Sequence, residues 1–85
     1  MSDEAKKPDL KLMEVLFERI KSAEEKHPDF SDGIYQGVGV IGEEYGELCQ
    51  ALNKEQGDAR VMDEALDLLC VAWRFCRGDW RQEKC

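Results

Sequence analysis

The sequence predicts an all-α fold, an antiparallel helical bundle that is completed by oligomerisation. Three segments of the 85-residue chain repeat apolar residues at helical spacing, and short loops rich in Pro, Gly and Asp separate them. A chain of this length forms one domain at most and buries only a modest core. We therefore expect a disordered N-terminus over residues 1–8, one helical domain over 9–78, and a short C-terminal tail over 79–85.

The first helix is predicted from about Asp9 to Lys26. Pro8 and Asp9 suit a helix start, and His27-Pro28 ends the helix because proline cannot continue it. Apolar residues recur along this segment at helical spacing, namely Leu10, Met13, Leu16, Phe17 and Ile20. They predict an apolar stripe that faces the core.

The second helix is predicted from about Gly33 to Glu55. Its apolar residues have the spacing of a heptad repeat: Ile34, Val38, Ile41, Tyr45, Leu48 and Leu52. Four glycines lie inside the segment, namely Gly37, Gly39, Gly42 and Gly46. Each costs about 1 kcal/mol relative to alanine, which the close approach of another backbone or of a ligand would offset. Alternatively, the helix begins near Val40 and residues 33–39 form a loop.

The third helix is predicted from Asp58, as its N-cap, to about Arg77, and Gly78 suits the helix end. On a helical wheel this segment is apolar over roughly 200°, through Ala65, Leu66, Leu69, Ala72, Trp73 and Cys76. A helix that is exposed on one side of a small bundle needs a stripe of only about 100°. We expect a second subunit to cover the excess, so the sequence predicts a homo-oligomer.

The charge and the cysteines limit the classes of function. A net charge of −7 and a pI of about 4.6 disfavour nucleic acid as a partner, and any phosphate ligand would need a cation between it and the protein. The four cysteines form no Cys-x-x-Cys pair, and no apolar run resembles a signal peptide or a membrane span. These observations favour a reduced, cytoplasmic setting without a membrane partner.

Two pairs of acidic residues are the strongest candidates for chemistry. Glu44 and Glu47 are three residues apart on the second helix, and Glu64 and Asp67 are three apart on the third, so each pair shares a helix face. A short turn makes these helices antiparallel neighbours, and each pair borders an apolar seam. The oxygens of these four carboxylates are ligands that suit Mg²⁺, and Mn²⁺ could substitute for it. Spacing alone also allows two solvated acidic faces.

The pattern Glu43-Glu44-x-x-Glu47, followed by Glu64-x-x-Asp67, resembles the signature of MazG-like all-α nucleoside triphosphate pyrophosphohydrolases. The resemblance covers about residues 27–77. It implies a four-helix core in a dimer or tetramer, and hydrolysis of a (d)NTP to the monophosphate and pyrophosphate. It also implies Mg²⁺ ligation by Glu44, Glu47, Glu64 and Asp67, and it makes Glu43 or Glu47 the candidate base for the attacking water.

The residues that would hold the rest of the substrate are less constrained. Phe30 and Tyr35 are candidates for stacking on a base, Gly37 would leave room beside the carboxylates, and Arg60 and Arg74 could reach a phosphate. Two other functions remain open at this point. One is a non-catalytic helical dimerisation module, and the other is a phosphoribosyl-ATP pyrophosphatase, which shares the chemistry but differs in substrate.

Overall fold

The fold is all-α in the part of the chain that the computed structural model describes, residues 7 and 9–81. It has three α-helices there: α1 Leu10–Lys26, α2 Ile34–Asn53 and α3 Asp58–Arg77. This confirms the all-α class that the sequence predicts. Apart from Lys7, the segment predicted to be a disordered N-terminus lies outside the described residues, and so do residues 82–85 of the predicted tail.

Asp9 caps the start of α1, and α2 begins directly after Gly33. The Asp9 carboxylate accepts a hydrogen bond from the Leu12 backbone N–H at 3.0 Å, which satisfies one free donor of the first turn of α1. The second helix follows Gly33 directly, so the alternative start near Val40 is wrong. All four interior glycines of α2 are helical, and none has a positive φ.

Glycines mark both ends of α3. Gly57, with φ 93°, holds the N-cap position, so Asp58 is the first helical residue rather than the cap that the sequence predicts. Gly78, with φ 89°, adopts the left-handed conformation that ends many helices, as predicted. Its N–H donates to the Phe75 carbonyl at 3.0 Å, and the Asp79 N–H donates to the Arg74 carbonyl at 3.1 Å.

The third helix packs against both of the others. Gly37, near the start of α2, contacts Phe75, near the end of α3, so these two helices are antiparallel. Leu16, Ile20 and Cys70 are buried together, and the partly buried Ala23 packs against them. This core between α1 and α3 consists of few side chains, which agrees with the small size of the domain.

Part of the segment that the sequence assigns to a tail packs on the helices. The Gly33 N–H donates to the Trp80 carbonyl at 3.2 Å, and the Trp80 indole N–H donates to the Phe75 carbonyl at 3.1 Å. The Trp80 ring also lies over the Phe75 ring, with their centroids 6.2 Å apart. These contacts join the residues after α3 to the residue that precedes α2.

Many large apolar side chains remain exposed on this chain. They include Leu10, Leu12, Met13, Val15 and Phe17 on α1, and Met62, Leu69 and Trp73 on α3. Phe17 and Trp73 meet edge to face with centroids 5.6 Å apart, which makes a continuous apolar surface across α1 and α3. Within residues 9–81, no helix has the length and apolar character that crossing a bilayer requires.

The glycines of α2 have different surroundings. A Cβ at Gly37 would lie 3.0 Å from a Phe75 ring carbon and 3.2 Å from the Ser31 hydroxyl oxygen. A Cβ at Gly42 or Gly46 would meet nothing within 4 Å. The expectation that Gly37 leaves room beside the carboxylates is therefore wrong, because its missing side chain makes room for the Phe75 ring.

These surroundings predict opposite effects for two alanine substitutions. Gly37→Ala should destabilise the protein by about 1–2 kcal/mol, because the added methyl overpacks the Phe75 ring. Gly42→Ala is the matched control on the same helix, and it should stabilise the protein by up to about 1 kcal/mol through helix propensity. Urea unfolding of both variants measures the two changes. Equal shifts of the same sign would contradict the assignment.

Candidate functional site

Three carboxylates from α2 and α3 come together in the described structure. Glu44, Glu47 and Glu64 each offer an oxygen, and these oxygens lie within 4.8 Å of one another. The three-residue spacing puts Glu44 and Glu47 on one face of α2, and the antiparallel packing brings Glu64 of α3 opposite them. The structure therefore brings together three of the four residues predicted to bind a metal.

Two oxygens of this cluster are buried without a hydrogen-bond partner among the described residues. They are Glu44 Oε2 and Glu64 Oε2. The Glu64 side chain is only 4% exposed, and its other oxygen, Oε1, lies 2.5 Å from Arg60 Nη2. A buried carboxylate oxygen with no partner is costly, so each of these atoms needs a proton or a cation nearby.

Burial and mutual repulsion change the acidity of two of these groups. Burial raises the pKa of Glu44 to about 7, and the nearby charges of Glu47 and Asp67 add to the shift. Burial also raises the pKa of Glu64, although the Arg60 guanidinium partly opposes this effect. Both shifts arise because a clustered, desolvated carboxylate is easier to hold in its neutral form.

Asp67, the fourth predicted ligand, is held by an arginine that the sequence did not single out. Arg19 of α1 donates from Nη1 to Asp67 Oδ1 at 3.0 Å, and the same nitrogen lies 2.6 Å from Asp63 Oδ1. Arg19 is 44 residues from Asp63 along the chain, so no local spacing reveals the contact. Local spacing does reveal Arg60, which is four residues from Glu64 on the same helix.

A cavity of about 700 Å³ opens beside the carboxylates, between the three helices. Its acidic wall contains Glu43, Glu44, Asp63 and Asp67, and its basic groups are Arg19, Lys26, His27 and Arg74. Phe30, Val40, Cys70 and Val71 supply apolar surface. The cavity thus places carboxylates, guanidinium groups and an aromatic ring around one space, which suits a polar ligand of moderate size.

Phe30 and Arg74, two of the predicted substrate residues, meet in this cavity. The Arg74 guanidinium lies 5.3 Å from the centre of the Phe30 ring. It also donates from Nε to Asp79 Oδ2 at 3.1 Å and from Nη2 to the Pro28 carbonyl at 3.3 Å. The Arg74 side chain is only 5% exposed, so its salt bridge with Asp79 is largely shielded from solvent.

The other predicted substrate residues lie elsewhere. Tyr35 is 91% exposed on α2, and Gly37 lies behind the Phe75 ring, so neither lines the cavity. Arg60 contacts Glu64 and Asp63 along α3, where it neutralises the acidic cluster from outside the cavity. The geometry therefore separates these three residues from Phe30 and Arg74.

The carboxylate oxygens of this cluster are ligands that suit a hard divalent cation. All the candidate ligands are carboxylate oxygens, which Mg²⁺ and Mn²⁺ prefer, and Glu44 and Glu64 each contribute a buried oxygen that has no partner among the described residues. A cation at this cluster would remove both the repulsion among the carboxylates and the cost of their unpartnered oxygens.

Comparisons of the chain with protein-family models, with curated proteins and with solved structures find no match. The function is therefore inferred from the residues of this site and from the sequence motif that they form.

The raised pKa of Glu44 predicts how stability depends on pH in the metal-free protein. The folded state binds a proton at Glu44 up to about pH 7, whereas the unfolded chain loses it near 4.5, so stability should fall as pH rises between these values. Glu44→Gln removes the ionisation and should raise the free energy of unfolding at pH 8 by about 1 kcal/mol, a figure reduced for solvent screening. Urea unfolding in a chelating buffer from pH 5 to pH 8 measures this change.

Glu14→Gln, which changes an exposed glutamate of α1, is the control and should keep the wild-type pH profile. Asp79 does not contribute to this pH dependence. Its arginine partners lower its pKa, so its ionisation affects stability only below this pH range. A Glu44→Gln profile that is as steep as the wild-type profile would contradict the assignment.

Proposed function

We propose that this chain is a Mg²⁺-dependent nucleoside triphosphate pyrophosphohydrolase, which converts a (d)NTP and water into the (d)NMP and pyrophosphate. One observation carries the proposal: Glu44 and Glu64, both members of the sequence motif, bury oxygens beside Glu47 that lack partners among the described residues, and Glu44 also lines the cavity of about 700 Å³. Two solvated acidic faces, the other interpretation of the motif, would leave these oxygens in water.

The cluster supplies the residues that would hold the metal. Glu44, Glu47 and Glu64 would bind Mg²⁺, or Mn²⁺ in its place, and Asp67 lies on the neighbouring cavity wall. When bound, the cation neutralises triphosphate charge and lowers the pKa of a coordinated water. A chain with a net charge of −7 needs such a bridge to bind a triphosphate.

Glu43 is the better placed of the two candidate bases. It lines the cavity, and it does not belong to the group of three oxygens that would hold the metal. Its carboxylate can therefore accept the proton of the attacking water while Glu47 remains a ligand. Phe30 would stack on the nucleobase, and the Arg74 guanidinium, 5.3 Å from the centre of the ring, would help to orient it.

The proposal includes self-association in the cytoplasm. The exposed apolar surface across α1 and α3, centred on Phe17 and Trp73, would be covered by another copy of the chain to complete a four-helix core. The protein would then be a dimer or a tetramer. Among the described residues, Cys49, Cys70 and Cys76 form no disulfide with one another, as a reducing compartment would keep them.

Metal binding and activity test the function directly. Glu64→Gln should abolish Mg²⁺ binding in calorimetry and reduce pyrophosphate release by at least about 100-fold, because it removes a buried ligand of the metal. The wild-type chain is screened against all (d)NTPs with Mg²⁺, and the variant is then assayed on the best substrate. Circular dichroism confirms that the helices of the variant remain folded.

Glu14→Gln serves again as the matched control, because it makes the same chemical change outside the cluster. It should bind Mg²⁺ and turn over like the wild type. A Glu64→Gln variant that keeps wild-type turnover would refute the site. A wild-type chain that associates but releases no pyrophosphate from any (d)NTP would favour the non-catalytic dimerisation module.

Association makes a separate prediction. Leu69→Glu places a charge on the exposed apolar surface of α3 and should shift the protein towards monomer by at least 10-fold in dissociation constant, since a buried unpaired charge is costly. Sedimentation velocity at micromolar concentration measures the shift. Asn53→Glu, at the exposed end of α2, adds the same charge elsewhere and should not change the association. A monomeric wild type would contradict the proposed oligomer.

A further inference from the structure

Arg19 connects α1 to the candidate metal site. Its Nη1 atom lies 2.6 Å from Asp63 Oδ1 and 3.0 Å from Asp67 Oδ1, and it donates to the Asp63 carbonyl at 3.2 Å. All three contacts use this one nitrogen, and no contact between described residues uses Nη2 or Nε. The guanidinium therefore has further donors to offer, and it lies on the wall of the same cavity as Glu44.

The two acids of the motif on α3 are neutralised in different ways. Arg60 approaches Glu64 from the same helix, at 2.5 Å, and more than half of its side chain is exposed. Arg19 approaches Asp67 from another helix, across the cavity wall, and is less exposed than Arg60. Asp67 Oδ1 can therefore ligate a cation only if it shares this oxygen with Arg19 or if the guanidinium moves away.

We propose that Arg19 holds Asp67 in the metal-free protein and binds the substrate phosphates when a divalent cation binds Asp67. This inference rests on the proposed function. A planar guanidinium binds carboxylate and phosphate oxygens with the same paired geometry, so the exchange replaces one oxyanion by another. Asp63 is not part of the motif and keeps Arg19 beside the cavity throughout.

The exchange would couple metal binding to substrate binding. Arg19 and the cation neutralise the same carboxylate, so each weakens the binding of the other when no phosphate is present. A triphosphate in the cavity would draw the guanidinium away from Asp67 and remove this competition. The metal and the substrate would then bind more tightly together than either binds alone.

Arg19→Gln tests the competition without any need for turnover. In calorimetry with MgCl₂ and no nucleotide, the variant should bind Mg²⁺ about 3- to 5-fold more tightly than the wild type, as expected for the loss of a partly exposed ion pair. Lys21→Gln is the matched control, because it removes one positive charge from an exposed position on the same helix. It should leave Mg²⁺ affinity within about 2-fold of the wild type.

The phosphate contact has its own measurement. At saturating Mg²⁺, Arg19→Gln should raise KM for the best (d)NTP of the wild-type screen about 10-fold, with a smaller change in kcat. Arg19→Lys keeps the charge but lacks the planar guanidinium. Its Mg²⁺ affinity and its KM should therefore fall between those of the wild type and of Arg19→Gln. It also provides a test if Arg19→Gln does not fold.

The outcomes separate this inference from the function on which it rests. A wild-type chain that binds no Mg²⁺ would overturn the proposed function and the role of Arg19 with it. A wild type that binds Mg²⁺, together with an Arg19→Gln variant that binds it no more tightly than Lys21→Gln, would overturn the role of Arg19 alone. Tighter metal binding with an unchanged KM would refute the phosphate contact.

Discussion

The burial of the Glu64 carboxylate is the constraint around which the candidate site is arranged. The antiparallel packing of α2 and α3 excludes this side chain from water and brings Glu44 to the same place. Arg60 satisfies one oxygen of Glu64, but Glu64 Oε2 and Glu44 Oε2 lack partners among the described residues. In the metal-free protein, protonation is the available relief, and it is expressed in the raised pKa of Glu44. A bound cation would give the same relief without the proton.

Local signals in the sequence were sufficient to predict the helices. Proline after His27 ends α1, Gly57 separates α2 from α3, and Gly78 has the left-handed backbone that closes α3. The three-residue spacing of Glu44 and Glu47 was enough to place both on one face, because helix geometry fixes which neighbours share a face. These predictions needed only the positions of residues within one segment or across one short turn.

Contacts between distant segments could not be predicted in this way. A helical wheel gives the direction of a side chain around its own axis, but it does not give the angle or the height at which another helix crosses. No local pattern in the sequence therefore predicts the role of Arg19, which holds Asp67 from another helix. Gly37 was placed beside the ligand space, but it accommodates Phe75. The burial of Arg74 also depends on a partner, Asp79, in a segment that the sequence assigned to the tail.

A cation at the cluster would connect these observations, because it would neutralise the buried carboxylates and bring the triphosphate to the cavity wall. Anomalous diffraction from a crystal soaked in Mn²⁺ tests this claim most directly. We expect a peak within about 2.3 Å of carboxylate oxygens of both Glu44 and Glu64, a distance typical of oxygen ligands to such cations. A fully occupied Mn²⁺ elsewhere, with Glu44 and Glu64 protonated or paired only with protein groups, would contradict it.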